Sequence, residues 1–241
     1  MKTIVITGAS SGIGFGLARA CLERGYNVVA NARTAERLAE AARQLGEPAA
    51  FEAVAGDIGL KSTAESIVAR GVERFGGIDL LVNNAGIFNA KAFVDYDTDD
   101  LDGLIDTNLK GFFFVSQKAS EQMLKQGHGH IINVTATIAM QPNASVPAAL
   151  PILIKGGLNQ VTRALALEYA TKNIRVNAVA PGIIDTPLYT SDMHEFLNTL
   201  QPVGKIGRVE DIVNAVLYLA EADFTTGVVL PVDGGMTAGK W

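Results

Sequence analysis

The sequence predicts a doubly wound α/β fold, in which helices cover both faces of one largely parallel β-sheet. Short β-branched runs alternate with amphipathic stretches rich in Ala and Leu along all 241 residues, a pattern typical of βαβ units. The runs at 130-134 and 174-180 are apolar without alternation, as expected for strands covered on both faces. Because βαβ crossovers are right-handed, few topologies remain, and a doubly wound sheet is the simplest of them.

The alternating pattern divides the chain into seven strands with helices between them. Strands are predicted at residues 3-7, 27-31, 50-55, 78-82, 130-134, 174-180 and 227-231. Helices are predicted at about 12-24, 34-45, 60-75, 98-126, 151-172 and 209-220. No linker, internal repeat or charge block interrupts this order, so we expect one domain over residues 1-241 with about seven parallel strands.

One irregular stretch, at about 183-208, is long and rich in Pro and Gly. A long segment after the carboxyl end of a strand is where an α/β enzyme places a substrate lid. A surface loop without function is the alternative. The apolar residues of this stretch suggest an apolar part of the substrate: Leu188, Met193, Phe196 and Leu197.

The composition excludes several classes of partner and cofactor. The formal net charge is -5 and basic residues are scattered, which argues against nucleic acid and anionic membranes. No run of about 18 apolar residues or signal peptide is present, so we expect a cytoplasmic protein. The single cysteine, Cys21, fits a buried apolar position. His128 and His130 have no Cys or acid beside them in the sequence, so we predict no metal site.

A glycine-rich loop joins the first predicted strand to the first helix. Its residues read Gly8, Ala9, Ser10, Ser11, Gly12, Ile13 and Gly14. Glycines allow a tight turn and close approach of the backbone to a phosphate, and the helix N-terminus presents N–H groups to the anion. No Lys-Ser/Thr follows, so ATP or GTP hydrolysis is disfavoured. The loop predicts a Rossmann-like site for the pyrophosphate of a nicotinamide dinucleotide.

Several further motifs follow in a fixed order along the chain. They are Asp57-Ile58, Asn83-Asn84-Ala85-Gly86, Asn108 in Thr-Asn-Leu-Lys-Gly, 181-186 (PGIIDT) and 232-235 (VDGG). With the glycine loop, this set resembles the short-chain dehydrogenase/reductase family from end to end. The resemblance implies hydride transfer between a nicotinamide dinucleotide and a carbonyl or alcohol.

The resemblance also implies additional residues that bind the cofactor. Asp57 and Ile58 would flank the adenine. The adenosine side would be lined by Asn84, Ala85 and Gly86. The nicotinamide end would be held by Ile184 and Thr186, and Pro181 and Gly182 would also bind the cofactor.

The end of the second strand indicates which dinucleotide is bound. An acid about 20 residues after the glycine loop would bind the ribose 2′-OH of NAD, but Ala32 occupies this position and Arg33 follows. A guanidinium suits a 2′-phosphate, and no carboxylate is present to repel it. NADP(H) is therefore favoured over NAD(H). A solvated arginine at a helix start is the alternative for Arg33.

The family's catalytic group is incomplete in this chain. The family uses an Asn, a Ser and a Tyr-x-x-x-Lys pair, whose Tyr and Lys share a helix face. The resemblance implies that Asn108 and Lys155 remain and that Lys155 also binds the cofactor at the nicotinamide ribose. Pro151 occupies the Tyr position and Ala136 the Ser position. The connection between these last two is a couple of residues longer than usual.

Other proton-bearing side chains are candidates to replace the missing donors. A register shift of one residue would bring in Thr135 or Thr137, and Tyr189 or His194 in the lid could close over the nicotinamide. A positioned general acid contributes about 10²–10⁴ in rate, so its loss would slow the reaction without abolishing it.

Three functions remain open on the sequence. The first is an oxidoreductase that transfers hydride between NADP(H) and a carbonyl or alcohol with a non-standard proton donor. The second is a dinucleotide-binding pseudoenzyme or regulatory subunit, and the third is an enzyme that uses bound nicotinamide for dehydration or isomerisation. The expected partners are a small-molecule substrate of unknown identity and further copies of the chain, in a homodimer or homotetramer.

Overall fold

The computed structural model describes residues 1–239 and shows a single seven-stranded parallel sheet. The strands are β1 (Thr3–Thr7), β2 (Asn27–Ala32), β3 (Phe51–Ala55), β4 (Leu80–Asn83), β5 (Gly129–Val134), β6 (Ile174–Pro181) and β7 (Val229–Val232). Their order in the sheet is β3-β2-β1-β4-β5-β6-β7. The chain thus reverses direction across the sheet between β1 and β4, which is the topological switch point of a doubly wound fold.

Within residues 1–239, eight α-helices connect or follow these strands. They are α1 (Gly12–Glu23), α2 (Ala35–Gln44), α3 (Lys61–Phe75), α4 (Thr98–Leu104), α5 (Gly111–Gln126), α6 (Ala149–Tyr169), α7 (His194–Thr199) and α8 (Val209–Glu221). The sheet separates two hydrophobic cores. One core packs α1, α2 and α8 against the sheet, and the other packs α3, α5 and α6 against the opposite face. This arrangement confirms the predicted fold class.

The predicted helix at 98-126 is confirmed as one continuous helical segment, but its middle is not α-helical. The structure has α4, then a π-helical turn at Ile105–Lys110, then α5. The buried residue Asn108 lies in this turn. Its side chain accepts a hydrogen bond from the Ile87 backbone N–H and donates one to the Ile87 carbonyl oxygen. π-Helical turns of this kind occur frequently at functional sites, and periodicity alone does not reveal them.

The predicted lid at 183-208 is partly ordered rather than irregular. A β-bridge joins Ile184 to Gly207 at the two ends of the segment, and α7 lies between them. The carboxyl group of Asp211 accepts a hydrogen bond from the Arg208 backbone at the start of α8. The segment is therefore closed at its base and forms one wall of the site described below.

Other differences concern element ends. The sixth helix begins at Ala149 instead of 151, so that Pro151 is the third residue of its first turn. A proline is tolerated there because the N–H groups of a first turn have no intrahelical partner.

Cys21 is buried as predicted, and burial raises the pKa of its thiol to about 12. Over residues 1–239, no helix has the length and apolar character needed to cross a bilayer.

Candidate functional site

The glycine loop lies at the carboxyl end of β1, beside the switch point. Gly8 and Gly12 have φ angles of +67° and +53°, which favour glycine. Gly14 is required for a different reason: a Cβ atom there would lie 2.2 Å from the Gly8 carbonyl oxygen and 2.6 Å from the Asn84 amide. The loop, the start of α1 and the segment after β4 are therefore in direct backbone contact.

The N-terminus of α1 is open toward the groove. Ser11 precedes the helix in an extended conformation, and its side chain makes no capping hydrogen bond. The first-turn N–H groups of Gly12, Ile13 and Gly14 thus keep their donor capacity. Together with the positive end of the helix dipole, they suit a diphosphate.

Thr7 is a positioning residue that the sequence analysis did not identify. Its hydroxyl oxygen accepts hydrogen bonds from the backbone N–H groups of Asn84 at 3.0 Å and Ala85 at 2.9 Å. The Asn84 side chain donates in return to the carbonyl oxygens of Thr7 and Gly8. The Asn84 side chain therefore braces the glycine loop.

A groove of about 480 Å³ follows this edge of the sheet, and we call it the dinucleotide groove. Its lining includes most of the predicted cofactor residues, namely Gly8, Ser10, Ser11, Gly12, Ile13, Arg33, Asp57, Ile58, Asn84, Ala85, Gly86 and Thr186. Gly14 shapes the loop beneath it. Arg37, in the first turn of α2, also lines the groove with Arg33, and the sequence analysis did not identify it. Its position four residues after Arg33 could have indicated it, because residues four apart lie on the same side of a helix.

A second cavity of about 360 Å³, called here the apolar cavity, adjoins the groove. Six residues border both spaces: Ile13, Asn84, Gly86, Ile87, Thr186 and Leu188. Predicted cofactor residues Pro181, Gly182 and Ile184 line the apolar cavity and not the groove. The lid residues Leu188, Met193, Phe196 and Leu197 complete its wall, as the sequence suggested.

The two positions where the resemblance places a replaced catalytic residue lie differently relative to the apolar cavity. Ala136 lines it, whereas Pro151, where the resemblance places the family's tyrosine, is buried in the first turn of α6. Neither side chain carries a proton for exchange. Lys155, one helical turn later, does line the cavity.

Lys155 is partly buried, and its ammonium donates a hydrogen bond to the Val134 carbonyl oxygen at 2.8 Å. A Cβ on Gly86 would lie 3.4 Å from its Nζ and 3.3 Å from the Asn108 Oδ1, so these groups meet where groove and cavity join. Within residues 1–239 no carboxylate forms an ion pair with it. Desolvation by burial therefore lowers the pKa of Lys155 to about 8.

The alternative donors differ in whether their hydroxyl protons are already used in hydrogen bonds within the protein. The Thr137 hydroxyl donates to the Pro181 carbonyl at 3.0 Å, and Thr135 lies 3.4 Å from the Val179 carbonyl. A threonine has one hydroxyl proton, so Thr137 has none left for a substrate. Both line the apolar cavity.

The two lid candidates are in different surroundings. Tyr189 lines the apolar cavity, its hydroxyl makes no hydrogen bond within residues 1–239, and burial raises its pKa above the ordinary value. His194 does not line the cavity; its Nε2 lies 3.4 Å from Asp185 Oδ1. The structure thus brings Tyr189, but not His194, to the site.

The two other histidines lie far from the groove, around a cavity of about 570 Å³ at the amino ends of the strands. His128 pairs with Asp79 at 3.0 Å, and buried His130 accepts from Asn177 and Arg175 through Nε2. In the described part of the chain, no three His, Cys, Asp or Glu residues form a group that could hold a metal. Although this cavity is larger than the groove, it is remote from the glycine loop.

Comparisons with known proteins agree with this geometry. A family model described as enoyl-(acyl carrier protein) reductase matches residues 8–237. Subunit BbsD of (2S)-[(R)-hydroxy(phenyl)methyl]succinyl-CoA dehydrogenase from Thauera aromatica is 37% identical, with 97% of this chain and 96% of BbsD covered. The 3-oxoacyl-[acyl-carrier-protein] reductase FabG of Staphylococcus aureus is 35% identical, with 98% of each chain covered.

A solved structure is similar over the same length. The 3-ketoacyl-(acyl-carrier-protein) reductase from Brucella melitensis, complexed with NADH, superimposes with a TM-score of 0.91 at 32% identity. The superposition covers 98% of each chain.

The switch-point groove and its glycine loop define a dinucleotide-binding oxidoreductase of Rossmann-like fold. The chain belongs to the short-chain dehydrogenase/reductase family, as the match over residues 8–237 and the relatives show. Its cofactor is a nicotinamide dinucleotide.

The close contact at Gly14 predicts the effect of one added methyl group. Gly14→Ala should lower the free energy of unfolding by about 1–3 kcal/mol, because its Cβ would overlap the Gly8 carbonyl. We also expect the affinity for NADPH to fall by about tenfold or more, since the loop must shift. Urea unfolding and fluorescence titration measure the two effects. Gly157→Ala, where a Cβ meets nothing within 4 Å, is the control and should do neither.

The burial of Lys155 predicts a pH-dependent stability cost. Its pKa of about 8 in the folded state lies below about 10.4 in the unfolded chain, so the folded state binds fewer protons between these values. Lys155→Met should therefore raise the free energy of unfolding by about 2–3 kcal/mol at pH 7. This gain should shrink as pH rises through the window and disappear above it.

Urea unfolding of wild type and variant at several pH values from 7 to above the window (about 7 to 11) measures this difference. Exposed Lys172→Met is the control and should give no gain of this size at pH 7. A Lys155→Met gain of equal size at both ends of the range would contradict the lowered pKa.

Proposed function

We propose that the protein is an NADP(H)-dependent oxidoreductase that reduces a carbonyl group, or oxidises the corresponding alcohol, on a substrate with an apolar portion. The observation that carries this proposal is the continuity between an intact dinucleotide groove and an apolar cavity, with Lys155 at their junction. The relatives FabG and BbsD, named as a reductase and a dehydrogenase subunit, support this reaction class.

The preference for NADP(H) rests on the charge at one end of the groove. The residues at the end of β2 that line it are Asn31, Ala32 and Arg33, none of which is acidic. Arg33 and Arg37 would hold the 2′-phosphate through charge-assisted hydrogen bonds. The backbone N–H groups at the start of α1 would hold the diphosphate.

When bound, NADPH would supply a hydride to the substrate carbon. The residues of the chain then have three tasks. Thr186, which borders both spaces, orients the nicotinamide end, while the lid excludes water from the apolar cavity. A protein donor other than a tyrosine at position 151 must deliver the proton to the carbonyl oxygen.

A second candidate function is a catalytically impaired dinucleotide-binding protein or regulatory subunit. The observation in its favour is the absence of a proton-bearing side chain at both Pro151 and Ala136. The name of BbsD as a dehydrogenase subunit is compatible with a role inside a larger enzyme.

We also propose a homodimer or homotetramer. Large apolar side chains are exposed on α5 and α6, among them Phe113, Leu124, Leu153 and Leu167. Leu153 and Leu167 are 72% and 81% exposed, which is unfavourable unless another surface covers them.

Arg33→Ala tests the assignment of the 2′-phosphate site. We expect the affinity for NADPH to fall by about 10- to 100-fold, which corresponds to the loss of one or two charge-assisted hydrogen bonds. The affinity for NADH should stay nearly constant. Titration of cofactor fluorescence measures both. Arg43→Ala on α2, whose side chain pairs with Glu40, is the control. Equal weakening of both cofactors by Arg33→Ala would contradict the assignment.

Turnover of a broad carbonyl panel separates the two candidate functions. For an enzyme, wild type oxidises NADPH with at least one aldehyde or ketone. For a pseudoenzyme, wild type binds NADPH but stays inactive, and the double variant Pro151→Tyr/Ala136→Ser gains activity. Absence of dinucleotide binding in a titration would contradict both.

A further inference from the structure

The reaction needs a proton at the carbonyl oxygen, and the apolar cavity offers few groups that can give one. Asn84 and Thr137 already donate to carbonyl oxygens of the protein. Pro151 and Ala136 have no proton to give. Within residues 1–239, the titratable groups facing the cavity are Lys155 and Tyr189, and each has an N–H or O–H bond that no other residue accepts.

Lys155 is the one of these two that lies at the junction with the dinucleotide groove. Its Nζ is close to Gly86, which borders both spaces, and it donates only to the Val134 carbonyl within residues 1–239. An ammonium has three protons, so two remain for other acceptors. Tyr189 lies in the lid and does not border the groove.

We propose that Lys155 is itself the general acid of this protein, donating a proton from Nζ directly to the carbonyl oxygen of the substrate. This role rests on the proposed function and assigns the non-standard donor that it requires. A tyrosine at position 151, one turn earlier on the same face of α6, would stand beside Lys155; proline leaves the lysine facing the cavity.

The electrostatic environment of Lys155 suits this step. No carboxylate pairs with the ammonium in the described part of the chain, and its pKa lies at about 8 because of burial. A group with such a pKa is protonated at neutral pH yet releases its proton readily, the condition for efficient general acid catalysis. Burial moves the pKa of Tyr189 the other way, above its ordinary value near 10, which makes that phenol a poorer acid.

The step balances as follows. The carbonyl carbon accepts a hydride from the reduced dinucleotide, which is oxidised by two electrons, while the carbonyl oxygen takes a proton from Nζ. The C=O bond becomes CH–OH, and Lys155 is left as a neutral amine that takes up a proton from water. In the oxidation direction the neutral amine accepts the alcohol proton, so reduction requires protonated Lys155 and oxidation requires the neutral form.

The test combines NMR of the protein without substrate with pH profiles of a carbonyl reduced in the panel. In protein labelled with ¹³C at lysine Cε, one resonance should titrate near the pKa of about 8 and be missing from Lys155→Arg. For wild type, kcat/KM for reduction should be constant below this pH and fall tenfold per pH unit above it. Lys155→Arg should lose about 10²–10⁴ in kcat, because arginine does not release its proton.

Three controls make the result decisive. Titration with NADPH shows whether Lys155→Arg still binds cofactor, and exposed Lys172→Arg should keep the wild-type profile. In Tyr189→Phe the fall in rate should remain at the pH of wild type. A Lys155 resonance that titrates above about pH 10, or loss of turnover in Tyr189→Phe with full turnover in Lys155→Arg, would overturn the role of Lys155 while leaving the oxidoreductase intact. A wild type that turns over no carbonyl would overturn the proposed function and this role together.

Discussion

The site depends on the contact between two loops across the topological switch point. The hydroxyl of Thr7 accepts from the backbone after β4, and the side chain of Asn84 donates to the backbone after β1. These bonds fix the glycine loop against Ala85 so closely that Gly14 has no room for a Cβ. The groove therefore keeps its shape through hydrogen bonds from the side chains of Thr7 and Asn84 to the backbone, in which Ala136, Pro151 and Lys155 take no part.

A buried polar network connects this edge of the sheet to the helix that carries Lys155. Asn83 on β4 donates to Asn133 on β5 at 2.9 Å, and Asn133 donates to Thr162 on α6 at 2.9 Å. All three side chains are almost completely buried, and breaking such a network leaves unpaired polar groups that cost free energy. The network sets the position of α6 relative to β4 and β5. Since Lys155 binds Val134 at the end of β5, its Nζ is held in place by the same elements.

The sequence was a good guide where local pattern decides structure. The alternation of apolar runs predicted all seven strands to within a few residues, and the glycine spacing predicted the loop that lines the groove. It was a poor guide where contacts between distant parts of the chain determine the local structure. The π-helical turn at Asn108 depends on Ile87, 21 residues earlier, and the role of Thr7 depends on a loop 77 residues later. Neither partner is visible in a periodicity, because each hydrogen bond forms only after the sheet has assembled.

The family resemblance implies both a dinucleotide site and a tyrosine proton donor. Pro151 removes the proton donor and leaves the dinucleotide groove unchanged. In the first turn of α6 a proline costs little, because no intrahelical hydrogen bond is lost there. The proline therefore leaves α6, the buried network and the groove in place. What changes is the surroundings of Lys155, whose ammonium faces an apolar space and has one hydrogen bond, to Val134, within residues 1–239. A charge so placed destabilises the folded protein at neutral pH, and such a cost is typical of residues kept for chemistry or ligand binding.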